Sequence, residues 1–162
     1  MTGLNERFRK LPARLRVAAT MILVKDLLLH SHNMNTSETE IRAALEHFQT
    51  KKKYFSIAVY RIEGEYAIRV AAAGTTCGQC DKVHLSSGNI GRVARSGVCY
   101  AVENVAEDPT YKSCFSEVKA ETVVPVIVSG KTIGVIDAES GSALIGQDDL
   151  QSFAKQIESL LA

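Results

Sequence analysis

The first ten residues are polar and basic. After them, Leu15, Ala18, Ala19, Ile22, Leu23 and Leu29 recur at the spacing of one helical face. Val17, Met21, Val24, Leu27 and Leu28 widen that face, so a helix over about 13–32 is expected to be covered on more than one side. Pro12 suits its first turn. Ser37 and Glu40 read as a capping box for a second helix over about 38–50, whose inward face is Ile41, Ala44, Leu45 and Phe48. The run Lys51-Lys52-Lys53 stands where cations favour a helix end.

From Tyr54 onward the period changes to two. Phe55, Ile57 and Val59, a turn at Glu63-Gly64, then Tyr66, Ile68 and Val70 predict a hairpin. A loop follows, then a short strand at 83–85, a short helix from Ser87-Gly88-Asn89 to about Ser96, and a strand over 98–105. After a loop opened by Asp108-Pro109, strands over 122–128 and 132–138 flank Ser129-Gly130 as a second hairpin. Pro125 within the first of these implies an unused N–H side. Gln147-Asp148-Asp149 begins a closing helix with Leu150, Phe153, Ile157 and Leu160 inward. The expected fold is α+β: an antiparallel central sheet with flanking N- and C-terminal helices, in one domain over 11–162 behind a flexible basic arm over 1–10.

At 162 residues and 46% hydrophobic, the chain fills one core and not two. A net charge of +1 argues against a dedicated nucleic-acid binder. The longest apolar run carries Lys25 and Asp26, which argues against a membrane span or a secretion signal. A cytoplasmic protein with reduced thiols is therefore expected. Terminal helices of this kind offer a homodimer surface.

The order of motifs in the second half resembles the GAF domain family. The residues that carry the likeness are Gly88-x-Ile90-Gly91, Val102-x-Asn104-Val105 and Asp108-Pro109-x-Tyr111, then Glu121-x-Val123-Val124-Pro125-Val126 and Gly130-x-x-Ile133-Gly134-Val135-Ile136-Asp137-Ala138-Glu139-Ser140. The resemblance implies a ligand cavity between the sheet and two lid segments, 75–82 and 107–119. Glu121, Asp137, Glu139, Tyr111, Gly88 and Ile90 are then its candidate ligand-binding residues. It implies a sensory domain that binds a small molecule, with a thiol or redox link, and reports to a signalling partner.

A second implication is enzymatic. Free methionine-(R)-sulfoxide reductases are stand-alone GAF domains in which a lid cysteine attacks the sulfoxide and carboxylates hold the ammonium group. Cys114 stands seven residues before Glu121, as in that family, and Cys77 or Cys80 would supply the second thiol. Ile90-Gly91 stands where that family carries a cysteine, and Ile57-Ala58-Val59-Tyr60 stands in place of its Trp-x-Gly-Phe-Tyr strand. A third reading joins Cys77, Cys80, Cys99 and Cys114 in a four-thiolate site for zinc or an iron–sulfur cluster. The helix start at Gly88 also suits an anion such as nitrate, while Arg92, Arg95 and His84 are expected at the surface.

Overall fold

Alternation along one strand decides the layering. In β1 (Ser56–Glu63), Ile57 and Val59 point to one face of the sheet and Ala58 and Tyr60 to the other, and all four are buried. The strand is therefore covered on both sides. The computed structural model describes residues 37–52, 54–112, 115–142 and 146–162. The basic arm and the first expected helix lie outside the described residues, as does Cys114.

The helix described over 37–52 is α1; β2 is Tyr66–Gly74, β3 Lys82–His84, α2 Gly88–Ser96, β4 Tyr100–Val102, β5 Ala120–Val128, β6 Lys131–Ser140 and α3 Gln147–Leu161. The six strands form one antiparallel sheet in the order β3-β2-β1-β6-β5-β4. Ile57, Val59, Val124, Ile136 and Ala138 pack against Ile41 and Leu45 of α1 and against Leu150, Phe153 and Ile157 of α3. Phe48 stacks on Phe153, with ring centroids 4.6 Å apart. On the other face, Ala58, Tyr60, Val123 and Val135 pack against Ile90, Val93 and Ala94 of α2. Among the described residues no helix is long and apolar enough to cross a membrane.

The β5–β6 hairpin pairs Val128 with Lys131 around a two-residue turn. Both turn residues, Ser129 (φ 51°) and Gly130 (φ 76°), are left-handed, which matches the twist of the flanking strands. The β1–β2 turn falls on Gly64-Glu65, one residue later than expected, with Gly64 at φ 60°. Pro125 faces Val135 of β6 on one side, and β4 pairs no further along β5 than Val123. The missing N–H therefore leaves no ladder bond unmade.

Two local expectations change. The strand expected over 98–105 is only three residues long. Gly97 in the left-handed conformation ends α2 and leaves Val98 65% exposed, while the Asn104 side chain accepts from the Ala106 N–H and turns the chain into a 3-10 turn at Val105–Glu107. Ser37 already lies within its helix, so the capping-box reading of Ser37 and Glu40 is not met.

Candidate functional site

Register brings three acids together. On β6, Asp137 and Glu139 are two residues apart and so share a face. Glu121 of β5 pairs directly with Glu139. Across β1 their partners are Ala58 and Ser56, whose small side chains leave space above the centre of the sheet. A cavity of about 70 Å³ fills that space, walled by the three carboxylates on the sheet, by Gly88, Asn89 and Ile90 of α2, and by Thr76, Cys77, Cys80, Lys112 and Phe115 of the two lid segments. This volume suits the polar head of a small metabolite better than a drug-sized molecule.

Glu121 is 5% exposed and Glu139 8%. Asp137 is half-buried as a residue, but its Oδ1 is sealed and has no hydrogen-bond partner. Burial pushes the Glu121 carboxyl up to about 7; the neighbouring Glu139 charge adds to this, and a hydrogen bond from Asn89 opposes it. Burial, with the charges of Glu121 and Glu139, pushes Asp137 well above the usual carboxylate range. Asp137 and Glu121 also share a hydrogen bond, in which the protonated Asp137 is the donor. Glu139 is raised by burial, against the hydrogen bond it accepts from the Tyr111 hydroxyl at 2.9 Å. Near neutral pH the cluster therefore retains protons, which an entering cation can displace.

Asn89 was not singled out by the sequence, and it organises this region. It is 2% exposed. Its Nδ2 donates to Asp108 Oδ2 at 2.9 Å and to Glu121 Oε2 at 2.5 Å, and its Oδ1 accepts from Thr110 Oγ1 at 2.7 Å. All its hydrogen-bonding capacity of this kind is met, and it ties α2 to both the lid and β5. Burial alone would raise Asp108, but hydrogen bonds from Thr110, Asn89 and Tyr100 hold it below the ordinary carboxylate value. The Asn89 side chain, in the first turn of α2, thus engages the protein's own carboxylates. Of the cations near it in sequence, Arg92 lies over the Tyr100 ring at 3.7 Å, and His84 is exposed with its ring edge against Tyr66.

The thiols divide between the two faces. Cys77 and Cys80 sit at either end of a single 3-10 turn, and their sulfurs are 3.2 Å apart at the cavity wall. Arg69 of β2 holds that turn, donating to the Cys77 carbonyl at 2.9 Å and pairing with Asp81. Cys99 packs with the core on the opposite face of the sheet, where Gln151 Nε2 lies 2.8 Å from its sulfur. The four-thiolate expectation fails at this residue, because the sheet separates Cys99 from Cys77 and Cys80. Among the described residues no group of three or more His, Cys, Asp or Glu is arranged to hold a metal ion. Cys114 lies outside the described residues, but Lys112 and Phe115 on either side of it both line the cavity.

The GAF domain family model matches residues 32–161. No curated protein matches the sequence. Among solved structures, the type II free methionine-R-sulfoxide reductase of Thermoplasma acidophilum is 25% identical with a TM-score of 0.75, over 80% of this chain and 94% of that one. The free methionine-R-sulfoxide reductase of Neisseria meningitidis, in complex with its substrate, is 21% identical with a TM-score of 0.70, over 77% of each chain. The GAF domain of an Acinetobacter phosphoenolpyruvate-protein phosphotransferase is 14% identical with a TM-score of 0.68, over 86% of this chain and 92% of that one. With the family model matched over residues 32–161, most of its length, the chain belongs to the GAF domain family.

Proposed function

We propose that this domain reduces free methionine-(R)-sulfoxide. The observation that carries this reading is that one cavity has three carboxylates on its floor and a pair of thiols in its wall. A ligand that needs both is a small, ammonium-bearing molecule with a reducible group. The likeness to the Thermoplasma acidophilum reductase over 94% of that chain supports it. Asp137, with its unpartnered Oδ1, and Glu139 receive the ammonium group, and Lys112 lies on the same wall for the substrate carboxylate. The Cys114 thiolate attacks the sulfoxide sulfur. The S–O bond breaks, methionine leaves, and the oxygen stays on Cys114 as a sulfenic acid. A second thiol displaces that oxygen as water and forms a disulfide, which an external dithiol reductant reopens. Cys77 and Cys80 supply that thiol in place of the residue at Ile90-Gly91.

The test is turnover of each sulfoxide diastereomer coupled to a dithiol reductant. Cys114→Ser is expected to abolish turnover while leaving binding intact. A second reading is a sensor that binds an ammonium-bearing metabolite and passes the signal to a partner, favoured by the fold's likeness to the Acinetobacter GAF domain. On that reading free methionine-(R)-sulfoxide or methionine raises thermal stability without turnover.

A further inference from the structure

β5 carries a free edge. β4 pairs with it no further than Val123, so the stretch from Val124 to Val128 is bonded to β6 alone. A hollow of about 300 Å³ lies along that edge, on the face of the sheet that α3 covers. Pro125 and Ile127 of β5 form one wall, and Gln151, Ala154, Lys155 and Glu158 of α3 form the other. Those four recur at i, i+3, i+4 and i+7, the spacing of one helix face. Ile127 is 38% exposed, and Val98, which stands between the lining residues Gly97 and Cys99, is 65% exposed. Among the described residues they are the only large hydrophobic side chains left so open. Exposed apolar side chains gathered at one hollow, with charges at its rim, mark a contact surface.

The chemistry of the hollow narrows what covers it. The edge is not built to receive a strand. Pro125 leaves no N–H donor there, and the ladder is irregular between Val126 and Ile127. Side chains must fill the hollow instead, and a helix presents them. Ala154 sits between the longer side chains of α3, so a second helix can lie close. The charges then name the helix. Lys155 and Glu158 share the hollow, and among the described residues neither is in an ion pair. A helix face that holds one cation and one anion a turn apart is complementary to itself. Turned about a two-fold axis, each Lys155 meets Glu158 of the partner subunit.

We propose that this face binds a second copy of the chain, α3 against α3, as an isologous dimer. Val98 and Ile127 supply its apolar part, and the two Lys155–Glu158 pairs supply its rim. The carboxylate cavity lies on the other face of the sheet, away from this contact.

The full-length protein is sedimented in an analytical ultracentrifuge over a dilution series, which yields the dimer dissociation constant. Ile127→Lys, Lys155→Glu, Glu158→Lys and the double exchange Lys155→Glu with Glu158→Lys are run beside it. Ile127 and Lys155 are exposed and Glu158 half-buried, so the fold tolerates these changes, and a thermal melt checks that it does. Ile127→Lys places a cation in the apolar part of the contact twice, once from each copy, and is expected to raise the dissociation constant at least tenfold. Each single charge reversal sets like charges against each other twice and is expected to do the same. The double exchange restores both pairs in reversed sense and is expected to return the constant to within threefold of wild type. A wild-type monomer at every concentration reached overturns the inference and leaves the hollow to a different protein. A dimer unmoved by Ile127→Lys and by both single reversals overturns it as well, because the copies then meet elsewhere. Loss in the single reversals without recovery in the double exchange overturns the two-fold pairing.

Discussion

At the scale of single residues, the acids were legible and their organiser was not. Glu121, Asp137 and Glu139 stand at alternating or flanking positions of apolar strands, so a strand reading places them on one face or at its end. Asn89 lies in the first turn of a short helix, where asparagine ordinarily meets water. Only the fold, which brings Glu121 to it from 32 residues away, makes it a buried bridge. Asn89→Ala removes one donor from the buried Glu121 and one from Asp108, and leaves the Thr110 hydroxyl without the Asn89 acceptor, at a cost of about 2 kcal/mol. A thermal melt should then fall by roughly 4–8 °C. The same cluster sets a pH dependence. Glu121 rises from an ordinary 4.5 to about 7, and Asp137 and Glu139 rise with it. Between those values the folded state holds protons that the unfolded chain has released, so stability falls as pH rises through the window. Asp108 has the opposite sign, but its contribution is lost only as pH falls below its ordinary 3.8. Melting temperature measured from pH 4.5 to 8 should decline more steeply in wild type than in Asp137→Asn; equal slopes would contradict this picture.

At the scale of elements, periodicity identified every described helix and strand but misjudged where some of them stop. β4 is short because Asn104 bonds its own backbone and because Gly97 has already turned the chain, and neither effect has a hydrophobic period. The 3-10 turn that pairs Cys77 with Cys80 was read only as loop, since a single turn shows no repeat. The seating of α2 depends on another residue that periodicity does not weigh. A Cβ on Gly91 would lie 2.3 Å from the Leu85 carbonyl oxygen, which is backbone and cannot step aside. Gly91→Ala should therefore lift α2 from the sheet and open the cavity, at a cost of roughly 2 kcal/mol or more. Gly64→Asn is the matched control: nothing lies within 4 Å, and asparagine tolerates a φ of +60°. It should cost less than about 1 kcal/mol. Denaturant unfolding of the two variants, with methionine binding measured in parallel, checks both.

At the scale of the whole molecule, the sheet serves as a partition. One face is closed by α1 and α3 over an apolar core, and it keeps Cys99 with it. On the other face, among the described residues, the carboxylates, Cys77 and Cys80 meet around a cavity beside α2. The four cysteines looked equivalent in the sequence because nothing in their spacing records which face of a sheet each will occupy. A ligand that binds only the folded state at a hundredfold excess over its Kd adds about 2.7 kcal/mol. Free methionine-(R)-sulfoxide should accordingly raise the melting temperature by roughly 5–10 °C. The most direct measurement is the rate of dithiol-dependent reduction of free methionine-(R)-sulfoxide by the purified protein, beside its (S) diastereomer and beside Asp137→Asn. The account predicts turnover of the (R) form alone, with KM raised at least tenfold in the variant, about 1.4 kcal/mol of lost binding. No turnover of either diastereomer by fully reduced protein that nonetheless binds methionine would contradict it and leave a sensor in its place.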